Sequence, residues 1–326
     1  MLRIMKIHLL GAALGARSST SAVAQDQPTE NAPQTLQKLG LCEILTESGF
    51  NVENFAILKG STGHKIERLK TLAMIAKFNE RLAAQVFAIH KKKEFPIVFG
   101  GDHSIAVGTW SGIAAAHPEE DLGLLWIDAH LDSHTTARSK NDAVHGMPLA
   151  SLLGHGDQRF SQILSQQPKL KGRNVCVLGV RAFETAEAEL LKSFGVRVYT
   201  MNEVRNRSFE VCFYEAYKQV TKSTSRFGIS LDLDVFDPNE IPAVRRPEPG
   251  GLLISEFRSC LRIAARNPHL AAFELVEYNP ALDIDQSTFL KIAMFIEELL
   301  WARALGEGFP SVAATLQSSS RHFLLQ

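Results

Sequence analysis

The stretch Leu122-Gly123-Leu124-Leu125-Trp126-Ile127-Asp128-Ala129-His130-Leu131-Asp132 decides the fold class. Its first six residues lack the alternation of a strand wetted on one face, so Leu122–Ile127 reads as a strand buried on both. Polarity then changes at once. Asp128, His130 and Asp132 stand at i, i+2 and i+4, and in extended backbone all three point to one side. Two carboxylates and an imidazole at the end of a buried strand are costly to desolvate without a cation. The bland alternative is a solvated loop.

Working outward, the same pattern recurs. Lys65–Lys93 has helical spacing, with three closing lysines that favour a helix C-terminus. Phe95–Phe99 reads as a strand ending in Gly100-Gly101, and Ser104–His117 as a helix. Asn174–Val180 and Val196–Tyr199 read as strands around the helix Ala186–Phe194. Helix Phe209–Ser223 precedes strand Arg226–Leu233. Helix Leu253–Asn267 precedes strand Leu270–Val276, and Asp285–Leu305 closes the series. Near-continuous apolar strands separated by helices imply a three-layer α/β/α fold around a mainly parallel sheet. No Pro/Gly/Ser linker or internal repeat divides the 326 residues, so residues 1–326 read as one domain with a loose polar tail over 315–326.

Composition excludes some partners. The chain is 45% hydrophobic and 21% charged, with 35 basic and 35 acidic residues. That balance gives no reason to expect nucleic acid or an anionic membrane. No stretch reaches the length of a membrane span. Cys42, Cys176, Cys212 and Cys260 share no zinc or redox spacing, as expected of free thiols in a reducing compartment, the cytoplasm. Near the N-terminus, Lys6–Leu10 reads as a first strand. A signal-peptide reading of Ile7–Gly15 and Ala22-Val23-Ala24 is weakened by His8 and Arg17, and Met5 is an alternative start to Met1.

In a parallel sheet, ligands bind at the carboxyl ends of the strands. Two further strand ends carry chemistry. Gly100-Gly101-Asp102-His103-Ser104 lets the backbone turn sharply and project His103. Ser230-Leu231-Asp232-Leu233-Asp234-Val235-Phe236-Asp237-Pro238 places Asp232 and Asp234 at i and i+2 among apolar neighbours, and Asp237-Pro238 makes a turn. Together with Asp128, His130 and Asp132 these make four aspartates and two histidines. Carboxylate and imidazole without thiolate suit manganese, iron or zinc. Six ligands suit a pair of ions with shared carboxylates, which lower the pKa of bound water enough to supply hydroxide near neutral pH.

These three motifs resemble the signatures of the ureohydrolase superfamily, which includes arginases and agmatinases, and the similarity runs to Glu277-Tyr278-Asn279-Pro280. The resemblance implies two manganese ions per subunit and a homo-trimer or homo-hexamer. It implies His103, Asp128, Asp132 and Asp232 on one ion and His130, Asp128, Asp232 and Asp234 on the other, with Asp128 and Asp232 bridging. Asp132 would also hold the nucleophilic hydroxide. His145, in His145-Gly146-Met147-Pro148, would carry a proton to the leaving amine, a task suited to imidazole. Glu277 would pair with the substrate guanidinium through two hydrogen bonds.

The substrate tail is less faithful to the arginase pattern. His134 stands where arginases usually have Asn and Asn141 where they usually have Ser, and both can hydrogen-bond a carboxylate. Ala143 has lost a polar side chain. Glu184 and Glu187 would meet the substrate ammonium, or serve as first-turn helix residues. Arg245-Arg246 replaces a small Gly-Thr pair. It is expected to bind a substrate carboxylate, to pair with Glu184 or Glu248, or to form a solvated loop. The expected reaction is hydrolysis of arginine to ornithine and urea. The alternatives are another ureohydrolase, acting on agmatine, guanidinobutyrate or formiminoglutamate, a metallophosphatase or deacetylase-like hydrolase, and a silent binding protein on the same fold.

Overall fold

The computed structural model describes residues 6–15, 29–60, 68–135 and 144–306. Asn141, Ala143, the Ala22-Val23-Ala24 segment and the 315–326 tail lie outside the described residues. Eight strands form one sheet: β1 (Ile7–Ala13), β2 (Val52–Lys59), β3 (Phe95–Gly100), β4 (Leu122–Ile127), β5 (Val175–Val180), β6 (Arg197–Thr200), β7 (Arg226–Asp232) and β8 (Leu270–Val276). Their order is β2-β1-β3-β8-β7-β4-β5-β6. Every pairing is parallel. Parallel neighbours need crossovers, and the helices supply them.

The described helices are α1 (Ala32–Lys38), α2 (Leu41–Glu47), α3 (Arg68–Lys91), α4 (Ala106–Ala116), α5 (Pro148–Leu152), α6 (Gln158–Ser161), α7 (Thr185–Ser193), α8 (Met201–Arg207), α9 (Phe209–Lys222), α10 (Ile254–Ala265) and α11 (Ser287–Gly306). Alternation along each strand divides the core into two layers. Phe99, Leu125, Ile127, Cys176 and Leu178 pack with α1, α2 and α8–α11. Val98, Leu124, Trp126, Val175 and Val177 pack with α3–α7. Both faces are dry, as the apolar runs predict.

The edge strand β2 and helices α1, α2, α5, α6 and α8 were not expected. One expected helix starts late and one expected strand ends early, and both deviations shape the site. The segment after β3 starts with a 3₁₀ turn, His103–Ile105, before α4, because the Asp102 carboxylate accepts from the Ser104 N–H at 3.0 Å. Likewise β7 stops at Asp232, whose carboxylate accepts from the Asp234 N–H at 2.8 Å and folds Leu233–Val235 into a 3₁₀ turn. At the β3 exit Gly101 is irreplaceable on steric grounds. A Cβ there would lie 1.9 Å from the Leu14 carbonyl oxygen.

Candidate metal centre and substrate cleft

The exits of β3, β8, β7 and β4, neighbours in the sheet, bring the three motifs together. His103 Nδ1 lies 3.1 Å from Asp128 Oδ2, 3.0 Å from Asp132 Oδ2 and 3.2 Å from Asp232 Oδ2. His130 Nδ1 lies 3.4 Å from Asp128 Oδ1 and 3.1 Å from Asp234 Oδ2. Two clusters of ligand atoms result. One is His103, Asp128 and Asp132, the other Asp128, His130 and Asp234, and Asp128 belongs to both.

The convergence does not come from an extended chain, as the i, i+2, i+4 reading supposed. Strand β4 ends at Ile127, and Asp128 bends the backbone by accepting the His130 N–H at 2.6 Å. Asp132 then takes a left-handed backbone, φ +45°. Asp232 and Asp234 also converge through a turn rather than through strand periodicity. A short carboxylate that captures a backbone N–H two residues on makes such turns.

The electrostatics fit a cation pair. All four aspartates are buried. Burial and the Asp128 charge push the Asp132 carboxyl up to about 7. Burial, with Asp234 and Asp128 adding repulsion, drives Asp232 well above the usual carboxylate range. Burial would raise Asp128 too, but hydrogen bonds from His103 and His130 hold it low. His103 Nδ1 is buried with no proper hydrogen-bond partner, although three carboxylates surround it. Such crowding of like charges around a lone-pair nitrogen is what a divalent ion relieves.

Residues that the sequence reading passed over support the ligands. His103 Nε2 lies 2.8 Å from Ser230 Oγ, and Ser230 Oγ donates to Glu274 Oε1 at 2.7 Å. Trp110 Nε1 also donates to Glu274 Oε1, at 3.1 Å. Trp126 Nε1 donates to Asp128 Oδ2 at 2.9 Å, and its ring stacks on His103 with centroids 4.1 Å apart. The available signal was a polar residue inside an apolar strand, Glu274 within Ala271-Ala272-Phe273-Glu274-Leu275-Val276.

A cleft of about 200 Å³ opens over the cluster, lined by His103, Asp132, Asp232, Asp234, His145 and Glu277 and also by His134, Glu184, Glu187, Arg245 and Arg246. Glu277 follows β8 with a left-handed backbone, φ +65°. Its N–H donates to the Gly101 carbonyl at 2.8 Å, and its Oε1 accepts from the His103 N–H at 3.0 Å. Its Oε2 is buried without a partner. Burial, opposed in part by Arg245, pushes this carboxyl up to about 8.

His145 is buried, with neither ring nitrogen hydrogen-bonded. Burial first, then the charges of Arg245 and Arg246, holds its imidazole well below its ordinary range. The loop that carries it is pinned to the metal loop. The His134 N–H donates to the Gly146 carbonyl at 2.7 Å, and Leu149 N–H to the Asp132 carbonyl at 2.9 Å. Glu187 spends both oxygens on this scaffold. Oε1 accepts from Ser133 N–H at 3.2 Å, and Oε2 from Glu184 N–H at 3.0 Å, with His134 Nε2 3.4 Å away. Glu248, one expected partner of the arginines, lies 3.7 Å from His130 Nε2.

The arginase family model matches residues 6–301. An arginase of Brevibacillus brevis is 36% identical over 268 residues, spanning 81% of this chain and 89% of that relative. The structure of arginase from Bacillus caldovelox superposes with a TM-score of 0.82 at 31% identity, over 91% of this chain and 98% of that one. The agmatine ureohydrolase of Thermoplasma volcanium shares the fold, with a TM-score of 0.69 at 20% identity.

Proposed function

The chain belongs to the arginase family, and from that premise we propose that it hydrolyses L-arginine to L-ornithine and urea at a centre of two manganese ions. It is a hydrolase of carbon–nitrogen bonds in linear amidines. We read residues 1–326 as one domain that acts in the cytoplasm as a homo-trimer or homo-hexamer. Four free cysteines suit a reducing compartment. No helix among the described residues is long and apolar enough to cross a membrane.

His103, Asp128, Asp132 and Asp232 would hold one ion, and His130, Asp128, Asp232 and Asp234 the other. Asp128, common to both ligand clusters, supports the shared role. Bound there, the ions would lower the pKa of water and so supply hydroxide near neutral pH. The rest falls to the side chains. Asp132 orients the nucleophilic water by accepting its hydrogen bond. Glu277 fixes the guanidinium in the plane of its carboxylate. His145, neutral and unpartnered, has one nitrogen to take a proton and the other to release one to the leaving amine. As water adds to the guanidinium carbon, the bond to the alkyl nitrogen breaks and urea departs. His134, Glu184, Glu187 and Arg246 line the cleft where the substrate tail would lie, and Asn141, outside the described residues, keeps that role as a sequence expectation. In that set Glu187 acts mainly by holding Ser133 and His134 in place.

The observation that carries this reading is Glu277 Oε2, a buried carboxylate oxygen without a partner, lining the same cleft as the metal ligands. Burial disfavours the charged form of this carboxyl, and a planar guanidinium reaching Oε2 would draw it into a charged, hydrogen-bonded pair. The test is urea and ornithine release from arginine by manganese-loaded protein, beside agmatine, 4-guanidinobutyrate, formiminoglutamate and a phosphate ester. Urea release from arginine supports the reading. Cleavage of the phosphate ester alone contradicts it.

A further inference from the structure

The Arg245-Arg246 pair enters the cleft in a fixed register. Val244 and Tyr278 form an antiparallel bridge, and Asn279 N–H donates to the Ala243 carbonyl at 2.8 Å. Antiparallel pairing of 244 with 278 sets 245 opposite 277. Arg245 is therefore the inner cation, half-buried beside Glu277, and Arg246 the outer one, exposed at the mouth. Both lie near enough to His145 to depress its basicity.

Across the mouth the acidic side is weaker than its composition suggests. Glu187 is committed to Ser133, Glu184 and His134 through both oxygens. Attraction for a substrate ammonium at the mouth therefore falls mainly on Glu184 among the described residues. The exposed Arg246 guanidinium opposes it. A guanidinium fork matches a carboxylate through paired hydrogen bonds, whereas like charge repels a second cation.

We propose that Arg246 makes this cleft a selector for guanidino acids, taking the substrate carboxylate and disfavouring a dicationic guanidino amine such as agmatine. The inference rests on the amidine-hydrolase reading above and adds the attractive and repulsive elements that specificity requires.

The test compares kcat/KM for arginine, 4-guanidinobutyrate and agmatine in manganese-loaded wild type, Arg246→Ala and Arg246→Lys. Wild type should favour both acids over agmatine. Arg246→Ala should lower the arginine-to-agmatine ratio by about ten- to a hundredfold, mostly through KM for arginine, the loss expected for one charge-assisted contact. Arg246→Lys should retain part of the ratio. Calorimetry on wild type gives a second readout, with ornithine binding more tightly than putrescine. Preference for agmatine, tighter binding of putrescine, or an unmoved ratio in Arg246→Ala would overturn the selector. Arginine cleavage with an unmoved ratio removes the selector alone. Failure to release urea from any of the three removes the hydrolase reading with it.

Discussion

Arg181 Nη2 donates to the carbonyl oxygen of Asp234 at 2.6 Å. The same guanidinium donates to the Gly179 and Val235 carbonyls, each at 3.1 Å, and to the Glu248 carbonyl at 2.7 Å. One planar fork from the β5 exit thus braces the turn that carries two candidate ligands. Arg181→Ala removes these donors, leaving the Val235 carbonyl only the Leu252 N–H, and should cost about 2–4 kcal/mol of stability. It should also weaken manganese binding. Arg181→Lys should rescue little, because an ammonium cannot span the same oxygens. Thermal unfolding and metal titration of both variants check this, and a wild-type midpoint in Arg181→Ala would contradict it.

Glu277→Gln keeps the acceptor for the His103 N–H and removes the anion. The variant should retain its metal, while kcat/KM for arginine falls about a hundredfold or more, the size of two lost charge-assisted hydrogen bonds. Steady-state kinetics beside metal analysis tests this pairing. Unchanged kinetics in a metal-replete variant would show that the guanidinium binds elsewhere.

A pH response should arise far from the site. His90 Nε2 lies 2.9 Å from His117 Nε2, a spacing that allows one donor and one acceptor but not two imidazolium rings. Burial first, then His117, Arg226, Arg303 and Lys91, lowers His90 to about 4. Burial and Arg226 lower His117 too, against a raising influence from Glu120. The unfolded chain therefore binds protons that the folded chain refuses between about 6.5 and 4. Stability from this pair is full above about 6.5 and is lost as pH falls toward 4, at on the order of 1 kcal/mol per pH unit. Urea unfolding at pH 7.5 and 5 should show a smaller loss for His90→Gln than for wild type. Equal losses would remove the pair as the source.

Much of this was legible because parallel strands buried on both faces write themselves as apolar runs, and because polarity changes abruptly where each run leaves the sheet. Leu122–Ile127 and Leu270–Val276 were read to the residue. The ligand types at Asp128, His130, Asp132, Asp232 and Asp234 followed from that change. Their geometry did not follow. Each group converges through a carboxylate-captured turn, and no periodicity encodes which N–H a carboxylate will take. Strand β2 was missed because Val52-Glu53-Asn54-Phe55-Ala56-Ile57-Leu58-Lys59 is an edge strand with polar residues that break the run. Arg181 was not singled out, since its role depends on carbonyls more than fifty residues away. The split duties of Glu184 and Glu187 depend on Ser133 and His134, distant in the chain, and could not be read from their helix-start spacing alone.

The central claim is that Asp128 joins two ions in one catalytic centre. Metal content and urea release, measured on the same samples of manganese-loaded wild type and Asp128→Ala, test it most directly. Wild type should carry two manganese ions per chain and release urea from arginine until a chelator removes them. Asp128→Ala should lose most of both ions and more activity than the roughly hundredfold that an outer-sphere change costs. Two retained ions, or full urea release, in Asp128→Ala would contradict the account.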